Sequence, residues 1–214
     1  MEGSFSYSPF YPQSGGGTPS TFKIGSFESN RQFNEIGVTV TDVTFDWMFL
    51  NGTPNFQSIM PLAGNINPSL RTHTLTGQDI KETMVFTLQA SDGNVSRTMS
   101  TRLLFYHPIY YGVVSGNIPS EAEILSMNKR VADFTTFTVG LNIADQHSCF
   151  VSPMANPIVD IREKVFGSSI LGSYNIINNY FLTMADGFAV PCRVLVKRVP
   201  EHTSGMVLNL DVIF

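Results

Sequence analysis

The chain has 214 residues, of which 43% are hydrophobic and only 14% charged, with 13 basic residues against 17 acidic ones for a formal net charge of -4. Seventeen Phe, seven Tyr and one Trp supply the apolar bulk for one large or two small packed domains and exclude disorder along the whole chain. No basic field is concentrated anywhere, which excludes nucleic acid as a partner; no apolar run reaches about 18 residues, so no membrane-spanning helix is expected, and two cysteines, Cys149 and Cys192, do not make a disulfide framework.

Residues 1–35 read as an extended N-terminal arm. The opening MEGSFSYSPFYPQSGGGTPS carries Glu2 and lacks the basic then apolar start of a secretory leader. Gly15-Gly16-Gly17, Pro9, Pro12, Pro19 and several serines resist regular structure. Yet Phe5, Tyr7, Phe10, Tyr11, Phe22 and Phe27 recur through the arm. A solvated tail gains nothing from these aromatics, so they either pack on the arm's own domain or anchor a subunit interface.

Residues 36–106 alternate apolar and polar side chains between clusters of Asn, Gly, Pro and Asp, the pattern of half-buried antiparallel strands. Strands are expected at 37–49, 56–61, 70–76, 83–90 and 95–105. In 83–90, Met84, Phe86 and Leu88 share one face while Thr83, Val85 and Thr87 take the other. Ser91-Asp92-Gly93-Asn94 supplies a tight hairpin turn, with Gly93 free to take a positive φ. This spacing suits an immunoglobulin-like sandwich without its disulfide, with Trp47 as the core anchor.

At 107–114 the chain leaves this unit. Ser120 followed by Glu123 is a capping box for a short helix near 120–130, with Ile124, Leu125 and Met127 on it and Lys129 and Arg130 in its last turn. Strands follow at 134–141, 147–152, 157–161, 176–184, 190–199 and 206–213. Residues 107–214 thus read as a second β-sandwich with one peripheral helix, and the chain as an all-β protein of two consecutive sandwiches.

A search for chemistry returns little. There is no phosphate-binding GK[ST] and no GxGxxG or GxSxG motif. His73, His107, His147 and His202 stand far apart without metal-ligand spacing, and His107, just before Pro108, reads as packing at the junction. Asp42 and Asp46, read as lying on neighbouring strands, have the chemistry of a glycosidase pair or part of a calcium site, but turns and strand edges account for them. Asp92, Asp145 and Asp186 suit turns. Cys149 and Cys192 read as small buried hydrophobes. Arg193, Lys197 and Arg198 form a basic cluster that reads as protection of a sheet edge. No catalytic residue, cofactor or metal is expected.

Several stretches resemble bacteriophage virion structural proteins of the tail, baseplate and fibre type. The resemblance rests on Phe45 and Trp47 in a core strand, and on Gly64, Ile66, Asn67, Ser69, Leu70, Arg71, Thr72, Thr76 and Gly77 in the segment after it. The hairpin Thr87, Leu88, Ala90, Ser91, Asp92 and Gly93 and the run Ile109 to Gly112 extend it. In the second half it continues through Cys149 to Pro153 and Asp186-Gly187-Phe188-Ala189-Val190. The resemblance implies a non-enzymatic virion component, made in the host cytoplasm, whose partners are other virion proteins and copies of itself. It also implies that the aromatic arm acts as a clamp between subunits. The alternative is a module that binds a receptor or host-surface glycan, with Tyr106, Tyr110, Tyr111, Tyr174 and Tyr180 as platforms.

Overall fold

The computed structural model describes residues 21–132, 135–142, 145–200 and 207–214. The chain is all-β. Its first eight strands are β1 (Lys23–Ser29), β2 (Phe33–Glu35), β3 (Val43–Leu50), β4 (Phe56–Met60), β5 (Gly64–Ile66), β6 (Thr72–Leu75), β7 (Met84–Ser91) and β8 (Ser96–Tyr106). They make a three-stranded sheet in the order β1-β3-β6 and a five-stranded sheet in the order β2-β8-β7-β4-β5. All these pairs are antiparallel except β2 with β8, which is parallel.

Alternation along the strands produces the core between the two sheets. In β7, Phe86, Leu88 and Ala90 are buried and Val85 is exposed, as the period-two pattern requires. The rings of Phe45 and Phe86 meet across the sheets with centroids 4.8 Å apart, and Phe27 stacks 5.4 Å from Phe45. Trp47 is buried, and its Nε1 donates to Gln57 Oε1 at 3.1 Å. A buried amide needs its remaining polar atoms partnered as well. The Gln57 Nε2 accordingly donates to the carbonyls of Asn67 and Leu70, so the Asn67–Leu70 turn is the cradle of this one side chain. Arg71 closes the turn by donating from Nη1 to Pro68 O at 2.8 Å and lies 4.6 Å from the Phe49 ring centroid.

The hairpin after β7 forms as its residues dictate. Asp92 Oδ1 accepts from the amides of Asn94 and Val95, each at 2.9 Å, and Gly93 takes φ +95°.

The arm is shorter than the sequence suggests. Phe22 and Phe27 lie in the first core, at 0% and 4% exposure, and β1 and β2 occupy residues assigned to the arm. The reason is a register shift between Ile24 and Ser26. It places Ile24 and Phe27, three residues apart, on the same inner face and so hides the strand from a period-two reading. Phe5, Tyr7, Phe10 and Tyr11 lie outside the described residues.

After residue 106 come β9 (Ile109–Val114), α1 (Glu121–Ser126), β10 (Asn128–Arg130), β11 (Thr136–Asn142), β12 (His147–Pro153), β13 (Asp160–Glu163), β14 (Tyr174–Thr183), β15 (Ala189–Lys197) and β16 (Val207–Ile213). They form a five-stranded sheet, β10-β9-β12-β15-β14, and a three-stranded sheet, β11-β16-β13. Phe150 and Leu195 of the larger sheet pack with Phe137, Leu210 and Val212 of the smaller one. Its opposite face, with Tyr110, Cys149, Val151, Cys192, Val194 and Val196, packs with Ile124 of α1. All seven residues of β12 are therefore buried.

The capping box forms, with Ser120 Oγ accepting from Glu123 N at 3.2 Å and Glu123 Oε2 accepting from Ser120 N at 2.9 Å. These bonds, with those from the Ser115 and Ser120 hydroxyls, hold the Glu123 carboxyl down at about 2. The helix ends earlier than expected. Met127 is extended, so Lys129 and Arg130 belong to β10 rather than to the last helical turn. The 107–114 segment is itself a central strand, because Ile109, Tyr110, Gly112 and Val114 are buried between two neighbours.

Candidate interaction site at the junction of the two sandwiches

The link between the sandwiches is short: β8 ends at Tyr106 and β9 begins at Ile109. Residues 35–37 run back across it. The Ile36 amide donates to Tyr106 O at 3.1 Å, and Glu35 Oε2 meets Lys129 Nζ at 2.6 Å, joining an edge strand of each half. Gly37 has φ +89°, and a Cβ there would lie 2.2 Å from the Asp186 amide nitrogen. Only glycine permits that approach. Tyr110 is buried beside the junction, where burial first and the nearby Glu35 carboxylate second push its hydroxyl up to about 12.

A cavity of about 130 Å³ opens at this junction, lined by Ile36, Phe105, Tyr106, His107, Ala155 and Asn156 among others. Its walls come from both sandwiches and are mainly apolar. His107 is one of the lining residues, and its Nδ1, which lies away from solvent, has no hydrogen-bond partner among the described residues. The packing expected of His107 at the junction is present, but one ring nitrogen is left over.

The other candidate residues separate. His73 is in β6, and His147 is buried in β12 with Nδ1 beside the Lys197 carbonyl; His202 lies outside the described residues. Among the described residues no three His, Cys, Asp or Glu side chains gather into a metal-binding group. Asp42 and Asp46 occur along one segment at and before β3, not on neighbouring strands, and both are exposed. Asp186 serves its turn, its Oδ1 accepting from Phe188 N at 3.0 Å.

Cys149 and Cys192 are free and buried, and burial pushes both thiols up to about 12. The basic cluster does not guard an edge. Arg193 and Lys197 lie on β15, which is flanked by β12 and β14. Arg193 donates to Asn178 Oδ1 and Ile158 O, and Arg198 donates to Asn175 Oδ1, so both arginines tie strands and loops together. Of the tyrosine platforms, Tyr110 and Tyr174 are core residues; the Tyr174 hydroxyl pairs with Ser148 Oγ at 2.8 Å.

Exposed apolar side chains, of which the sequence singles out only Phe188, project instead from turns and from the edge strand β14. Ile118, Val165, Phe166, Phe181 and Phe188 are each more than 60% exposed. Val165 and Phe166 occupy the tip of a turn pinned by the Glu163 amide to Ser168 O at 3.0 Å and the Gly167 amide to Glu163 O at 2.8 Å. No helix among the described residues is long and apolar enough to cross a membrane. Comparison with protein-family models, curated proteins and solved structures finds no match to this chain.

Proposed function

We propose that this chain is a structural subunit of a bacteriophage virion, of the tail, baseplate or fibre-attachment kind, and that it acts by contact with copies of itself and with other virion proteins. The observation that carries the reading is the set of exposed large apolar side chains held on fixed turns, above all Val165 and Phe166 at 75% and 76% exposure. Val165 and Phe166 are neighbours in the chain, and adjoining exposed apolar groups of this kind favour an interaction surface. The sequence resemblance supplies the virion context. It is supported by the strand order β1-β3-β6 opposite β2-β8-β7-β4-β5, which suits an immunoglobulin-like module in its first sandwich. The low charge of the chain is consistent with surfaces buried between subunits, where charged residues are depleted.

Mass spectrometry of purified particles tests this reading. The chain is expected at a fixed ratio to the other particle proteins; a chain abundant in the lysate but missing from particles would overturn it.

A further inference from the structure

We propose that the open edge of β11 is a self-association surface, which pairs antiparallel with β11 of a second copy about a two-fold axis at Val139. The inference rests on the reading of the chain as a self-associating subunit and names the strand that makes the contact.

The β11–β16 ladder shows which backbone groups are free. The Phe214 amide donates to Thr135 O at 3.0 Å, one step beyond the end of the paired register. Successive residues of an antiparallel strand turn their backbone groups to opposite sides. Phe137, Val139 and Leu141 therefore bond to β16, and the N–H and C=O groups of Thr136, Thr138, Gly140 and Asn142 point outward. On the far side of β16 the Lys164 amide reaches Asn209 O at 3.1 Å, as that phase requires. Among the described residues no second strand pairs with β11, and its four outward residues are exposed.

The other sheet edges among the described residues are blunted. β2, β5 and β10 have three residues each, and β6 and β13 have four. β1 is interrupted by its register shift and carries Lys23 and Glu28. β14 is interrupted between Ile177 and Tyr180, and Glu121 Oε1 accepts from its Thr183 amide. β11 instead has seven residues in unbroken register, without charge, proline or bulge. An edge of that kind is a template for another strand.

The sequence of β11 selects a second copy. With Val139 opposite itself, Thr138 faces Gly140, Thr136 faces Asn142 and Phe137 faces Leu141, each pair repeated by symmetry. Outward residues then meet outward residues, so the hydrogen bonds close. Thr138, with its side chain, falls beside Gly140, which has none. Phe137, Val139 and Leu141, buried in the second core, fall on the same inner face as those of the partner. No charge meets its like across the pair, and a charged strand would find no opposite charge on β11. The two three-stranded sheets become one continuous sheet through a closed, isologous contact.

Sedimentation velocity of the full chain across a concentration series, together with cysteine cross-linking, provides the test. Thr138→Pro removes an outward N–H that β16 does not use. It should weaken self-association at least tenfold while Cys149 and Cys192, both buried, stay protected from thiol reagents. If that variant exposes the thiols, Thr136→Lys with Thr138→Lys, at exposed positions, should weaken association as strongly. Mild oxidation should link Val139→Cys chains into dimers, because position 139 lies opposite itself with Cα atoms about 4.5 Å apart. Thr136→Cys, more exposed but about 20 Å from its copy in this register, should not link. Association untouched by the substitutions at 136 and 138 would overturn this inference and leave the subunit reading intact. Linking through Thr136→Cys in preference to Val139→Cys would overturn the two-fold register. A chain that stays monomeric at every concentration would sink the inference together with the self-contact part of the subunit reading.

Discussion

The two sandwiches solve the same packing problem with different layers. In the first, two sheets enclose one core rich in aromatics, and the outer faces of β3 and β7 stay open to solvent, with Met48 and Val85 exposed on them. In the second, the larger sheet is covered twice, by the smaller sheet on one face and around α1 on the other. The doubly covered strand β12 carries His147, Ser148 and Ser152 into the interior. Each is matched there: His147 with Lys197 O, Ser148 with the Tyr174 hydroxyl, and Ser152 Oγ with the Ile158 amide. Both cores are therefore specified by shape together with a few hydrogen bonds, from Trp47 and Gln57 at the first and from the β12 side chains in the second.

Independent reporters exist for the two halves, since Trp47 is in the first core and both cysteines are in the second. Phe45→Ala should destabilise the first sandwich by about 3–5 kcal/mol. Trp47 fluorescence should report this in denaturant, while Cys149 and Cys192 remain protected from thiol reagents; simultaneous exposure of both reporters would show that the halves unfold as one. Tyr174→Phe should act on the other side of the comparison. Leaving the buried Ser148 hydroxyl unpaired should cost about 1–3 kcal/mol, visible as faster thiol labelling with the Trp47 transition unmoved.

Gly37→Ala addresses what lies between them. A side chain at φ +89° that collides with the Asp186 backbone should cost more than about 1 kcal/mol. Hydrogen exchange should quicken at Ile36 and Asp186 while both cores keep their protection. The smallest effect is expected from pH. The Glu123 carboxyl is held at about 2 in the folded chain against an ordinary value of 4.5, so its contribution to the cap is complete above about 4.5 and is lost as pH falls toward 2. Amide protection in the first turn of α1 should follow that decline, and Glu123→Gln should flatten it.

The same contrast governs what could be read from the sequence. β7 and its turn were legible because one face is wet and Gly93 follows Asp92. β12 was expected as a strand at 147–152, but its double burial was not, since alternation disappears when both faces are covered. β1 was missed because the shift after Ile24 breaks its period. Arg193 was misplaced on an edge because strand order is a property of the sheet, not of the strand. The cap of α1 was plain, whereas the end of the helix was not: Met127 turns extended to let Lys129 pair opposite Tyr110. The cavity was invisible because its walls are assembled from residues 36, 105–107, 109, 132, 153, 155 and 156, which only the folded chain brings together.

The parallel pairing of β2 with β8 has a mechanical consequence. β1 begins at one end of the first sandwich, and β8 leaves for the second from the other. Tension between the N-terminus and residue 107 would pull β2 and β8 in opposite directions along their shared length. The bonds from Leu104 N to Gln32 O and from Ile36 N to Tyr106 O lie across that direction, so they would be loaded together in shear rather than opened one after another. A subunit held in place by its N-terminal end would then carry traction at this seam in shear.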